Sequence, residues 1–269
     1  MSAVTTTGPA APALKSHVSV LETIRQSWLM AGRALQKMRR NPEQFFDVLI
    51  QPLLFTPMFG YIFGGAIAGG TSKYLPLLVP GLLAQTALTT CMGTGVTLRE
   101  DMEKGVFDRF RSLPMSRVAP LAGPALADVV RYVVATVMTL AVGIAMGYRP
   151  DPFGLVLATL LIVFTAWSLA WVFTALATVM KSAQGLQGVS MMIMFPLTFL
   201  SNAFVPASSL PGWLEAFVNV NPVSHVVTAL RDLMNEGQVT GQVGWAVLAC
   251  LAVVAIFMPL AVKGYRRQV

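Results

Sequence analysis

The stretch "PFGLVLATLLIVFTAWSLAWVFTALATVM", residues 152–180, runs for 29 positions without Asp, Glu, Lys or Arg. About 20 consecutive apolar residues in a helix cross the hydrocarbon core of a bilayer, so this segment predicts a membrane span. Working outward, the same pattern recurs at 48–72 (25 residues), 74–98 (25), 182–214 (33) and 237–262 (26). A shorter window of 17 residues, 132–148, is preceded by the apolar positions 118–127. Only 12% of the chain is charged, about half of what soluble domains carry. We therefore expect an all-α integral membrane protein with six transmembrane helices near 46–66, 75–97, 124–147, 154–179, 186–205 and 242–262.

Six spans place both termini on one side, and basic residues decide which. Fifteen of the nineteen Lys and Arg residues fall in the termini, the 98–123 loop and the 180–184 loop, while the opposite loops hold Lys73, Arg149 and Arg231. The termini are thus expected to be cytoplasmic, and the net charge of +7 needs no nucleic acid to explain it. The first residues carry no basic start followed by an apolar run, so no cleavable signal is expected. Residues 1–17 read as a disordered cytoplasmic tail, 18–41 as an amphipathic interfacial helix and 42–269 as the six-span membrane domain.

Leu21, Ile24, Trp28, Leu35 and Met38 recur at helical spacing ahead of a turn at Pro42. A basic helix with a Trp on its apolar side suits the membrane surface, with packing against a cytoplasmic partner as the alternative. Gly60 and Gly64, like Gly143 and Gly147, stand at the spacing that lets helix backbones approach closely in lipid, whether within the chain or across a dimer. Thr86, Thr89, Thr90, Thr94 and Thr97 mark the second span. Their hydroxyls either bond back to their own helix or form a polar wall along a cargo path. Between the last two spans, "AFVNVNPVSHVVTAL" (216–230) is too short to cross and is broken by Asn219, Asn221 and Pro222. It predicts short outer-leaflet or re-entrant helices, with Asn221 capping a helix entered through Pro222.

Catalytic chemistry is hard to find. The sequence has no phosphate-binding GxxxxGK[ST] loop, no HExxH and no GxSxG. Cys91 and Cys250 lie within predicted spans, His17 in the tail and His225 in the outer loop. Asp128 and Arg131, three apart on one helix, are expected to neutralise each other. Charged groups at membrane depth, which ion-coupled transporters use, are otherwise missing from the spans. The chain alone is not expected to be an enzyme, to bind a metal or to hold a cofactor.

The exception to this apolar character is "LREDMEKGVFDRFRSLPMSR" (98–117), with five basic and four acidic residues in twenty. It patterns as a short cytoplasmic helix from Glu100 to Leu113, stopped by Pro114, with Val106, Phe110 and Leu113 on one stripe and Phe107 beside it. Such a ridge either docks into a protein groove or lies at the interface as a connector.

"DMEKGVFDRFRSLPMSR" (101–117) resembles the first cytoplasmic loop of type-2 ABC exporter permeases, in particular the daunorubicin-resistance type of actinobacteria. "NVNPVSHVVTALRDLMNEG" (219–237) resembles the second hallmark of that family. The resemblance implies a permease subunit in a bacterial plasma membrane. It would work with a separate ATP-binding subunit that holds ATP and Mg, and with a second permease copy, either itself or a sister chain. It also implies that Glu103, Lys104, Gly105, Phe107, Asp108, Arg109, Phe110 and Arg111 form the coupling helix against the ATPase. Asn221, Pro222 and Arg231 would shape the outer-leaflet gate helices. The expected function is ATP-driven export of amphiphilic or hydrophobic drugs. The alternatives are export of a lipid, glycolipid or polysaccharide, or a non-transporting immunity or sensor protein.

Overall fold

The computed structural model describes residues 19–40, 43–107, 116, 118–205 and 211–267, and all regular elements among them are helices. In chain order they are α1 (Val20–Arg40), α2 (Glu43–Ala68), α3 (Thr71–Glu103), α4 (Ala119–Ala145), α5 (Pro152–Val179), α6 (Ala183–Phe199), α7 (Gly212–Val220), α8 (Pro222–Glu236) and α9 (Gly241–Arg267). The tail over 1–17 and the turn at Pro42 lie outside the described residues.

Five of these helices are long and apolar enough to cross a membrane: α2 over Val48–Ala66, and α3, α4, α5 and α9 along their whole lengths. The sixth predicted span, 186–205, is shorter than expected. Its helix, α6, has 17 residues and ends at Phe199, and the chain turns back over residues 200–205. The end has a physical cause, because the Asn221 side chain takes the carbonyls of Leu197 and Leu200 as acceptors, both at 2.8 Å.

α3 is the centre of the bundle, packing against α2, α4, α5, α6 and α8. α9 lies on the far side of α5, and α1 lies along α4. The main core gathers Tyr74, Leu78, Ile162, Phe173 and Leu230. A smaller cluster at the end that bears the charged loop joins Leu98, Phe107, Leu121, Trp171, Leu186 and Tyr265.

One local expectation is corrected. The helix expected over Glu100–Leu113 does not begin at Glu100, because α3 runs unbroken to Glu103. Charge alone does not stop a helix, and nothing between Leu98 and Glu103 breaks one. The break comes at Gly105, whose φ of 67° suits glycine and few other residues. In α1, Leu21, Ile24 and Trp28 stay exposed. The side that meets α4 is instead the one with Ser27, Met30 and Met38, with Met30 seated over Gly123. The Trp side of α1 therefore faces out of the protein, as a membrane-surface helix requires.

At the opposite end, α5 starts with Asp151 accepting from the Gly154 amide at 2.7 Å, and α8 closes on Gly237. A Cβ at Gly154 would collide with the carbonyl of Leu233, so α5 and α8 touch backbone to backbone. Gly154→Ala is expected to lower stability by about 1–3 kcal/mol, the usual range for overpacking. Gly188→Ala in α6, where nothing lies within 4 Å, serves as the tolerant control. Thermal unfolding in detergent, read by size-exclusion fluorescence, compares the two.

Candidate functional site

Three places concentrate polar groups: the stems of the charged loop, the knot around α8, and a groove at membrane depth. In the first, Glu103 and Lys104 sit at the C-terminal end of α3 and Gly105 forms the turn. Acids at a helix C-terminus oppose its dipole, and each has a compensating partner. Lys37 of α1 lies 2.6 Å from Asp101, Arg99 lies 3.6 Å from Glu103, and Lys104 lies 3.7 Å from Glu100. Glu103 also accepts the amide of Ala183 at 2.7 Å, which caps the start of α6. Arg99 donates to the Lys181 carbonyl at 2.9 Å. Phe107 points into the chain's own core, 4% exposed and edge-on to Tyr265 of α9 at 5.6 Å. The returning stem is held where the Ser116 amide donates to the Gln26 side chain of α1 at 2.7 Å. Asp108, Arg109, Phe110 and Arg111 lie outside the described residues.

At the other end, Asn221 and Arg231 are brought together around the 200–205 turn, and Pro222 opens α8. Asn221 is 3% exposed and fully bonded. Its carbonyl oxygen accepts the Val223 amide at 2.9 Å as a helix cap, while its amide donates to the last turn of α6. Arg231 donates through one nitrogen to the carbonyls of Leu77, Asn202 and Ala203 at 3.0, 2.7 and 3.3 Å. Burial pushes its pKa down to about 10, so it remains a cation at neutral pH. Tyr148 donates to Asn235 at 2.6 Å, and burial raises its phenol pKa.

The groove is the part that the sequence reading reached least. It has a volume of about 840 Å³ and runs between α2, α3 and α6, with Arg131 of α4 at its edge. Thr89, Thr90 and Thr97 line it, and so do Gln51, Gln85 and Gln187. Thr90 bonds back to the Thr86 carbonyl at 2.7 Å, whereas Thr89 also reaches Gln51 at 3.0 Å. The expected bonding back to the helix is thus seen, and three of the threonines also line the groove. Gln85 is 9% exposed, and its side-chain oxygen has no partner among the described residues. Asp128 and Arg131 pair at 3.2 Å as expected, leaving Arg131 Nε unpartnered. The three glutamines were findable, since an uncharged amide within a predicted span is itself an exception to the apolar pattern. Among the described residues, no group of three or more His, Cys, Asp or Glu is placed to hold a metal.

Long apolar helices, paired charges at one end and a polar-walled groove between them define a multi-pass helical membrane protein. Residues 25–235 match the sequence profile of the ABC-2 type transporter, and the chain belongs to that family. It is 39% identical over 259 residues to a daunorubicin resistance ABC transporter permease protein, DrrB1, of Streptomyces coeruleorubidus, covering 96% of this chain and 89% of the relative. A probable doxorubicin resistance ABC transporter permease protein, DrrC, of Mycobacterium tuberculosis is 27% identical, covering 91% of this chain and 89% of that one. A transport permease described as putative, ycf38, of Cyanophora paradoxa is 25% identical over 82% of this chain and 78% of its own length.

The Asn221 geometry gives a sharp expectation. Asn221→Asp keeps the cap acceptor but removes both donors to the α6 carbonyls. It should therefore destabilise the protein by about 1–3 kcal/mol, the cost of unsatisfied buried groups. Thermal unfolding of this variant beside Asn221→Ala separates the cap from the clasp, since Asp repairs only the cap.

Proposed function

We propose that this chain is the membrane permease of an ATP-driven exporter of amphiphilic drugs. ATP is bound with Mg and hydrolysed on a separate subunit. The observation that carries the reading is kinship along 96% of the chain with a daunorubicin resistance permease. The groove supports it: a trough of apolar side chains, threonines and glutamines, with Glu100 and Arg131 also in its lining, suits an amphiphilic cargo that bears polar atoms.

In this reading α2, α3, α4, α5, α6 and α9 are the six spans. The 17 residues of α6 stand at the short end of the range that crosses a bilayer. α7 and α8 form the re-entrant pair at the outer leaflet, gated by Asn221, Pro222 and Arg231. α1 is the interfacial helix, and both termini lie in the cytoplasm of a bacterial cell. A second permease copy, identical or sister, closes the groove. The exposed apolar residues Leu54, Tyr61 and Ile62 of α2 and Met192 and Phe195 of α6 support that pairing.

The coupling segment is the 98–117 loop, with Lys104, Asp108, Arg109, Phe110 and Arg111 toward the ATPase. Glu103 and Phe107 have internal partners as well, and they give the loop its leverage. A push on it would reach α6 through Glu103, α9 through Phe107 and α1 through Asp101. The groove wall then moves with the loop. Reversing charge at both Asp108 and Arg109 should cut coupled transport by about an order of magnitude or more, since like-charge contacts across an interface cost several kcal/mol. The permease itself should stay folded. Vesicles reconstituted with the ATP-binding subunit test this by comparing drug-stimulated ATP hydrolysis with drug uptake. Unchanged coupling would remove the loop from the pathway, and ATP-dependent transport by this chain alone would sink the whole reading.

A further inference from the structure

α6 separates the groove from a second cavity, of about 470 Å³, walled by α3, α5, α6, α8 and α9. Met194 lines both. Along α9 the second cavity follows one stripe, Gln242, Trp245, Ala246, Ala249, Cys250 and Val253. Eleven residues of helix rise roughly 16 Å, close to half of the roughly 30 Å hydrocarbon core. The cavity therefore spans one leaflet, from the end of the bundle remote from the 98–117 loop to about the midplane. Trp245 and Ala249 are exposed at its mouth, on the side where α9 meets no other described helix of the bundle.

Its polar groups are graded along that length. At the remote end, His225 Nδ1 and Gln242 Oε1 lie 3.0 Å apart, and Trp245 stands beside them, as Trp does at membrane interfaces. Deeper in, the hydroxyls turn back on their own helix: Thr165 donates to Leu161 and Ser168 to Phe164, both at 2.8 Å. Cys250 Sγ rests 3.5 Å from the Thr165 hydroxyl. The deep part thus asks for no hydrogen bond, unlike the groove, which Gln51, Gln187, Glu100 and Arg131 line.

We propose that this cavity is a lipid site. It takes one acyl chain of a phospholipid from the leaflet remote from the 98–117 loop, with the ester region against Gln242 and Trp245. The inference rests on the chain spanning a bilayer and not on its being an exporter.

The test uses the full-length protein in vesicles of phosphatidylcholine and phosphatidylglycerol, with a trace of phosphatidylcholine that carries a diazirine midway along one chain. After irradiation, peptide mass spectrometry maps the label. Labelling is expected on Ile162 and Leu88, which are buried and line the cavity. Ala249→Phe should lower it about tenfold, because it keeps about two methylenes out. Ala249→Leu should lower it less, and Ala252→Phe on the outer face of α9 should leave it unchanged. Label that follows Leu248 and Leu251 and ignores Ala249→Phe would overturn the proposal. Displacement of the label from the unaltered protein by daunorubicin would also overturn it, assigning the cavity to cargo. So would replacement of lipid labelling by cross-links to a second copy at α9.

Discussion

A cation withdrawn from water must find oxygen inside the protein, and Arg231 organises the remote end of the bundle by doing so. It draws on α3 through Leu77 and on the turn after α6 through Asn202 and Ala203. Asn221, ten residues earlier on the same helix unit, takes the last carbonyls of α6. These two side chains satisfy backbone groups that lipid cannot serve. They also decide where α6 stops. The stretch that continues to Phe204 is interrupted at Ser201 and Asn202, and it leaves the helix at Phe199.

α6 is therefore held at both ends by single side chains. Glu103 caps its start from α3, and Asn221 clasps its finish from α8. Between the clasps its packing is light, mostly against α3, and Met191, Met192 and Phe195 are exposed. A wall fastened at its ends and loosely packed along its length can shift as a unit at small cost in buried area. The fastening at the charged end belongs to the stem of the 98–117 loop, so displacement of that loop has a direct mechanical route to the groove.

Much of this was legible in the sequence. Charge-free windows located the long helices to within a few residues, because lipid tolerates few other patterns. The Asn221–Pro222 pair announced a helix start by capping chemistry alone. What stayed hidden has a common cause. Where α3 ends depends on Gly105 and on partners from α1 and α6, and those partners are distant in sequence. Phe107 looked like part of a docking ridge because its partner, Tyr265, stands 158 positions away. The stripe on α1 is exposed at Leu21, Ile24 and Trp28 but buried at Met38, and the side that meets α4 is written in Ser27, Met30 and Gly123, which carry no periodic signal. The groove is half visible in the sequence: its threonines form a run along one span, whereas Gln51, Gln85 and Gln187 stand singly in two other spans and that one.

The two cavities on either side of α6 differ in a way that their volumes do not convey. One is lined by amides and hydroxyls together with Glu100 and Arg131. In the other, the deep hydroxyls are spent on their own helix, and its polar pair sits at one end. A molecule with polar atoms scattered over its surface loses hydrogen bonds on entering the second and can keep them in the first. A hydrocarbon chain loses nothing in the second, and in the first it would lie against the amides of Gln51 and Gln187 and the charges of Glu100 and Arg131. Chemistry therefore sorts the occupants before shape does. One thin helix, α6, thus separates two cavities of different chemistry.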